Sequence, residues 1–311
     1  MNILLAGGSG FIGSYLCRTL LGMHHNLMVL SRNPSQARQH LPKEVSLSEW
    51  NGLTTHALEQ LLERTDAVIN LAGAPIANAR WTQARKSLLR NSRINRTKVL
   101  VDAMSRLSKD KRPGMFINAS GVGFYGPQDV ENISEQFPPG QGFLADLCVD
   151  WEKEAMRAEQ YGIHVVLLRI GMVLGNNGGA LSKMALPFRF FLGGPIAPGT
   201  QHVSWIHQED LSQLVAWILE TKHCRGPVNA VAPEVVTMQK FCHELGKVLD
   251  RPSWLPVPEF LLKIALGELA TMMTTGQQVI PSIAQRHGFT FRYPNLEHAL
   301  HSLFRELSQH P

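Results

Sequence analysis

The sequence predicts an α/β fold, a doubly wound parallel sheet with a smaller, mostly helical carboxyl-terminal lobe, and three observations carry that prediction. The apolar run Ile3-Leu4-Leu5-Ala6 leads directly into the glycine-rich turn Gly7-Gly8-Ser9-Gly10-Phe11-Ile12-Gly13. Apolar residues then recur at helical spacing (Phe11, Ile12, Tyr15, Leu16, Leu20), and Asn26-Leu27-Met28-Val29-Leu30 follows as a second strand. Further apolar runs, at Ala67 to Gly73, Phe116 to Ser120 and His164 to Arg169, alternate with helical stretches as βαβ units do. With 311 residues, 44% of them hydrophobic and 18% charged, the chain can bury one large core or a core plus a smaller lobe.

The first turn carries the chemistry. Its glycines permit a tight bend and close backbone approach, and the open N–H groups of the helix behind them favour a pyrophosphate. The spacing is Gly-x-x-Gly-x-x-Gly, one residue longer in its first gap than Gly-x-Gly-x-x-Gly. Glycines also simply close strand-to-helix connections. Here the turn lies between the first strand and the first helix with a second strand following, which favours a Rossmann-type dinucleotide cradle built on Gly7, Gly10, Phe11, Ile12 and Gly13. The second strand ends in Ser31-Arg32-Asn33-Pro34. NAD cradles carry an acid near this point for the ribose 2′-hydroxyl, whereas an arginine pairs with a 2′-phosphate. The nearest acid, Glu44, is too far along, so NADP(H) is the expected cofactor, with Ser31 and Arg32 beside it; the alternative is an exposed loop arginine.

Leu47 to Trp50 reads as a weak third strand, and Thr54 as the cap of a helix through Leu62. The run from Ala67 to Gly73 is a buried strand that breaks at the carboxyl edge of the sheet, placing Leu71, Ala72 and Gly73 on the cofactor. Asn70 faces the ligand or satisfies loop backbone. From Ala67 through Val101 there is no acid, while Arg80, Arg85, Lys86, Arg90, Arg93, Arg96 and Lys98 supply seven positive charges. Leu88, Leu89, Ile94, Val99 and Leu100 give this segment an apolar helical face, so its cations line solvent or a cleft. Charge of one sign attracts phosphates. Arg93 is expected at the cofactor, and Arg80-Trp81 as a clamp on a planar or phosphorylated substrate. The segment lacks the aromatic interleaving of a nucleic-acid platform.

Ser120 and Tyr125, at the end of the strand Phe116 to Ser120, are candidate proton-transfer groups. Arg169 closes the next strand and opens the turn from Gly171 to Gly179, which leaves the sheet for the second lobe. Trp205-Ile206-His207 returns as a short strand before a helix beginning near Glu209-Asp210. Arg169 and His207 are candidate substrate contacts, His207 being alternatively a hydrogen-bonded structural histidine. No hydrolase order surrounds it, and Gly8-Ser9-Gly10 is not a nucleophile elbow. Helices are expected at Thr237 to Leu249 and Pro258 to Met273, then a hairpin-like segment from Gly288 to Pro294 and a closing helix. The apolar surface of Phe260, Leu261, Leu262, Ile264, Ala265, Leu266 and Leu269 is read as lobe core rather than a partner face. The cofactor domain is thus residues 1–170 together with about 203–222, and the substrate lobe 171–202 with 223–311.

The formal charge of +5 suits anionic small ligands better than nucleic acid. Four scattered cysteines form no metal or disulfide pattern and read as buried thiols in a reducing compartment. Without a leader or a run of about 18 apolar residues, the expectation is a cytoplasmic protein with a small-molecule substrate, phosphorylated or nucleotide-linked, and no membrane partner.

The glycine turn, Asn70-Leu71-Ala72-Gly73, Ser120 to Tyr125-Gly126, Leu168-Arg169 with Val173-Leu174-Gly175, and Trp205-Ile206-His207 with Asp210-Leu211 resemble the extended short-chain dehydrogenase/reductases, in the order of the NAD-dependent nucleotide-sugar epimerases and dehydratases. Arg80-Trp81, Ser92-Arg93-Ile94, Trp151-Glu152, Leu186-Pro187-Phe188 and the tail from Pro258-Glu259-Phe260 through Gly276-Gln277 to Tyr293-Pro294 resemble the YfcH-type epimerase-family proteins. The resemblance covers essentially the whole chain. It implies a Tyr-x-x-x-Lys pair in which lysine lowers the tyrosine pKa. Four residues after the four tyrosines stand Thr19, Asp129, Val165 and Glu297, and the motif position holds Phe143 and Leu147. The family hydroxyl position is Gly121, with Ser120 one residue earlier. Any acid is then improvised from Tyr125, Ser120, Asp146 or Glu135. The expected function is an NADP(H)-dependent oxidoreductase or epimerase on a polar carbonyl, sugar or nucleotide-sugar; the alternative is a non-catalytic NADP(H)-binding or redox-sensing module acting through a protein partner.

Overall fold

The computed structural model describes residues 1–51, 55–176, 178–221 and 223–305. Thr54, expected as a cap, and Asn177, in the expected Gly171 to Gly179 turn, lie outside the described residues. The first part of the chain alternates strand and helix: β1 (Asn2–Ala6), α1 (Phe11–Gly22), β2 (Asn26–Ser31), α2 (Pro34–Arg38), β3 (Ser46–Glu49), α3 (His56–Leu62), β4 (Ala67–Asn70), α4 (Gln83–Asn91), α5 (Ile94–Arg106), β5 (Met115–Gly121), α6 (Phe143–Met156) and β6 (His164–Ile170). The second part runs β7 (Met172–Leu174), α7 (Gly179–Arg189), β8 (His202–Val203), β9 (Trp205–His207), α8 (Gln208–Thr221), β10 (Gly226–Ala230), β11 (Val236–Thr237), α9 (Met238–Leu249), α10 (Glu259–Leu266), α11 (Thr271–Thr274), α12 (Ser282–Arg286) and α13 (Leu296–Arg305).

Seven strands form one sheet in the order β10-β6-β5-β4-β1-β2-β3, every pair parallel. The strand order reverses between β1 and β4, and a crevice opens at their carboxyl ends. Successive strand residues point to opposite faces. Leu5, Ile69, Ile117 and Val166 therefore join α1 and α8 in one core layer, while Leu4, Val68, Phe116 and Val165 join α3 and α5 in the other. A separate cluster around Phe188, Trp205, Phe241 and Leu300 binds α7, α9 and α13 into the second lobe. This is the expected doubly wound fold with a mostly helical lobe.

Three local expectations are corrected. β10 is an edge strand of the central sheet, so that sheet reaches into the span 223–311 assigned to the lobe. Residues 288–294 form no hairpin; Phe291 packs into the main core, and the backbone N–H groups of Arg292 and Tyr293 donate to the buried Asp210 carboxylate at 2.8 and 2.9 Å. The helix expected from Pro258 to Met273 breaks at Gly267, whose φ of +61° closes α10. No residue of α10 is buried, and Phe260 (62% exposed) and Ile264 (68%) face outward rather than forming core. Among the described residues no helix is long and apolar enough to cross a membrane. All four cysteines are free and buried, and burial pushes the Cys17 and Cys242 thiols up to about 12.

Candidate functional site

The glycine turn is built so tightly that side chains are excluded. Gly7 adopts φ +83°, and a Cβ there would lie 2.7 Å from the Leu71 carbonyl carbon; one at Gly13 would lie 2.4 Å from the Gly7 oxygen. The Gly10 N–H donates to that oxygen at 3.1 Å and closes the bend. Helix α1 begins after Gly10 with no side-chain cap and no acid in its first turn. Its leading N–H groups and the positive end of its dipole are therefore left for an anion. Gly178 and Gly179 of the second lobe lie on the Phe11 ring, so close that a Cβ at either would stand about 3 Å from it, at 3.1 and 2.8 Å. Leu71 follows β4 across the crevice and donates its N–H to the Ala6 carbonyl at 2.8 Å.

At the end of β2 the Ser31 hydroxyl accepts from the Asn33 N–H at 3.2 Å, and Arg32 is exposed. Half-buried Arg96, on the first turn of α5, has its pKa lowered by burial and then by the charge of Arg32. Arg32 and Arg96 thus lie near enough for their charges to act on each other, and among the described residues neither meets a carboxylate. An anion between them would relieve the repulsion. Sequence reading placed Arg96 in the basic segment but did not connect it with Arg32.

Behind β4, Asn70 is committed to structure. Its amide donates to Thr97 and Asn118 at 2.9 and 2.7 Å, and its oxygen accepts from the Ala72 N–H at 3.2 Å. Arg93, 8% exposed, lies against the Gly73 backbone and over the Trp151 ring at 5.3 Å, donating to the Ala74 carbonyl at 3.1 Å. Burial pulls its pKa down to about 10. The expected substrate clamp is otherwise engaged: Arg80 donates to the Ile264 and Ala265 carbonyls at the end of α10, and the Trp81 indole donates to the Ile76 carbonyl at 3.2 Å. The Trp81 ring packs edge-on against Phe143 at 5.2 Å. Arg80 is therefore a tie between the sheet domain and the helical tail.

The residues expected at the end of β5 are brought together, but inside the protein. Ser120 pairs in register with Arg169 on β6, and both point to Glu152 of α6. Arg169 and Glu152 form a two-pronged ion pair with both contacts at 2.8 Å, and Ser120 donates to Glu152 at 2.7 Å. Tyr125 is fully buried; its hydroxyl donates to Asn229 at 2.7 Å and accepts from Arg169 at 3.0 Å. Burial holds its pKa above the ordinary phenol value. Tyr125 and Ser120, expected in acid–base chemistry, and Arg169, expected at the substrate, are thus buried and bonded to one another and to Glu152 as a brace. Glu135 joins the same brace, accepting from the Asn229 and Ile283 N–H groups, both at 3.1 Å. His207 is a hydrogen-bonded, buried histidine, the structural reading its sequence context offered: it is 3% exposed, accepts from the Glu209 N–H at 3.1 Å and packs on Tyr293 at 3.9 Å. Burial and then Arg292 lower its pKa to about 4, which keeps it neutral. Asp146 is exposed on α6. At the motif position Phe143 meets Trp81 and Lys86, and Leu147 is buried.

Against known families, residues 3–230 match the NAD dependent epimerase/dehydratase family, and residues 257–303 match a domain of unknown function, DUF1731. The chain is 38% identical to the epimerase family protein SDR39U1 homolog, chloroplastic, of Arabidopsis thaliana, over 98% of this chain and 87% of that protein. It is 39% identical to the epimerase family protein YfhF of Bacillus subtilis (strain 168), over 98% and 99%. Among solved structures, human epimerase family protein SDR39U1 (isoform2) with NADPH superposes with a TM-score of 0.86 at 31% identity, over 98% and 99%. UDP-glucuronic acid 4-epimerase from Bacillus cereus, in complex with UDP-glucuronic acid and NAD, shares the fold with a TM-score of 0.80 at 18% identity, over 99% of each chain.

Proposed function

The chain belongs to the NAD dependent epimerase/dehydratase family, and from that premise we propose that it is an NADP(H)-dependent oxidoreductase or epimerase acting on a polar carbonyl, sugar or nucleotide-sugar. The observation that carries the choice of NADP(H) is Arg32 at the end of β2 with Arg96 of α5 under its charge, neither meeting a carboxylate among the described residues. The solved relative with NADPH supports it. In this reading Gly7, Gly10, Phe11, Ile12 and Gly13 would hold the pyrophosphate, Ser31, Arg32 and Arg96 the 2′-phosphate, and Leu71, Ala72, Gly73 and Arg93 the remaining length. When bound, the nicotinamide supplies or accepts a hydride. The substrate is a small molecule in the crevice between the sheet edge and the helical tail.

Titration with NADPH and NADH tests the reading. Each arginine–phosphate contact contributes about 1.5–3 kcal/mol, so NADPH should bind at least about tenfold tighter than NADH. Arg32→Ala and Arg96→Ala should each narrow the gap. Equal affinities in the wild type, or a gap untouched by either variant, would overturn it.

Phe143 and Leu147 in place of the catalytic pair favour a second reading, a redox-sensing module that acts through a protein partner. Tight NADPH binding without oxidation across a panel of carbonyls and nucleotide-sugars, with a partner that prefers one redox form, would support it. Turnover on any member of the panel would exclude it.

A further inference from the structure

Not every cation of the acid-free segment is alike. Arg80 is held by α10, Lys86 pairs with Glu268, and Arg90 pairs with Asp150. Arg85 and Arg93 instead lie along the loop that leaves β4. Three consecutive carbonyls of that loop are each covered by a different side chain: Ala74 by Arg93, Pro75 by Arg85 and Ile76 by the Trp81 indole. Successive residues are about 3.8 Å apart, so two guanidinium groups and an indole hold one short stretch of loop at the carboxyl edge of the sheet.

We propose that Arg85 and Arg93 form an oxyanion site for the substrate, so that the compound acted on carries a carboxylate or phosphate group. This rests on the reading above that the crevice holds a nicotinamide cofactor. Several observations support it. Among the described residues neither guanidinium meets a carboxylate, although Arg93 is 8% exposed. The two charges act on each other, and that repulsion adds to burial in weakening Arg93's hold on its proton. The Arg85 Nε is buried with no hydrogen-bond partner, a donor left over after the other contacts are made. Two like charges at a partly dry surface are unfavourable alone and favourable once an anion joins them.

Position supplies the rest. The Trp81–Phe143 edge contact puts the indole beside the start of α6, where the motif position holds Phe143, and Arg93 lies over Trp151 farther along the same helix. An anionic group seated here would lie against an aromatic wall next to the position of reaction. The site's residues differ from Arg32 and Arg96, assigned above to the cofactor 2′-phosphate, and from the turn before α1, assigned to its pyrophosphate. Arg93 also touches Gly73 on the cofactor side, so Arg85 is the residue that separates a substrate anion from a cofactor anion.

The test is calorimetric titration of the protein with inorganic phosphate and with malonate, with and without NADPH, at ionic strength fixed with chloride. Saturable binding is expected in the wild type, weakened at least tenfold in Arg85→Gln and Arg93→Gln and partly retained in Arg85→Lys. NADPH affinity, measured on the same preparations, should change less than twofold in Arg85→Gln. The proposal is overturned if the wild type shows no saturable binding of either anion, if Arg85→Gln and Arg85→Lys both bind them as the wild type does, or if Arg85→Gln weakens NADPH in step. Anion binding that persists while NADPH fails to bind would instead remove the cofactor reading and leave the oxyanion site standing.

Discussion

His207 shows how burial sets the behaviour of one side chain. Its imidazole is lowered from 6.5 to about 4, first by burial and then by Arg292. In the unfolded chain it takes up a proton near 6.5, so between 6.5 and 4 the unfolded state binds more protons than the folded one. Stability from this group is therefore complete above about 6.5 and declines as the pH falls toward 4. At pH 5 the loss amounts to about 2 kcal/mol. Urea unfolding of the wild type and His207→Gln at pH 7 and pH 5 should show a smaller acid-induced drop in the variant by about that amount; equal drops would mean that the histidine titrates normally in the folded protein. The same scale explains why Ser120, Tyr125 and Arg169 misled the sequence reading. Their place at strand ends is legible, but the direction of a side chain depends on register. Pairing Ser120 opposite Arg169 sends both toward Glu152 of α6.

At the scale of elements, the junction of β1 and α1 is the most legible feature, because its conformation is imposed by adjacent glycines. It also makes a graded prediction. A Cβ at Gly13 would meet the Gly7 oxygen at 2.4 Å and the Gly8 Cα at 2.5 Å, both backbone, whereas one at Gly10 would meet the Gly7 oxygen at 3.3 Å. Gly13→Ala should cost at least about 2 kcal/mol and abolish dinucleotide binding, with Gly10→Ala milder in both. Denaturation and NADPH titration of the two variants check the order, and a reversed order would show that the turn relaxes freely. α10 was less legible. Apolar periodicity marks a face but not what covers it: Leu262 packs against the second-lobe cluster, while Phe260, Leu261 and Ile264 stay exposed. The helix is held also by polar ties, Arg80 to its terminal carbonyls and, just beyond it, Lys86 to Glu268. Arg80→Ala should raise amide hydrogen exchange across residues 259–274 at least severalfold and leave the sheet strands unchanged. Exchange confined to its wild-type rate there would mean that packing suffices. β10 escaped notice for a related reason: Pro227 argues against a strand, yet at a sheet edge, paired only with β6, a missing N–H is tolerated.

For the molecule as a whole, the sequence shows that basic charge is concentrated between Ala67 and Val101, but not which cations are neutralised, because their partners come from distant segments. Glu268 takes Lys86 and Asp150 takes Arg90, whereas the charge of Arg32 acts on Arg96 and neither meets a carboxylate among the described residues. Arg32, Arg85, Arg93 and Arg96 are thus cations that meet no carboxylate among the described residues of a chain of formal charge +5. A cleft of one sign raises the encounter rate of a highly charged anion, and salt screens that field over roughly 8–10 Å at ordinary ionic strength. The association rate of NADPH should therefore fall at least about tenfold between low salt and roughly 0.5 M, with dissociation changing much less. Stopped-flow fluorescence over a salt series measures both rates. Arg32→Ala and Arg96→Ala should flatten the association slope, and the double variant should flatten it most. If salt acts only on dissociation, or if the slope is the same in all four proteins, these cations secure the bound coenzyme without drawing it in, and the charge of the segment has no part in capture.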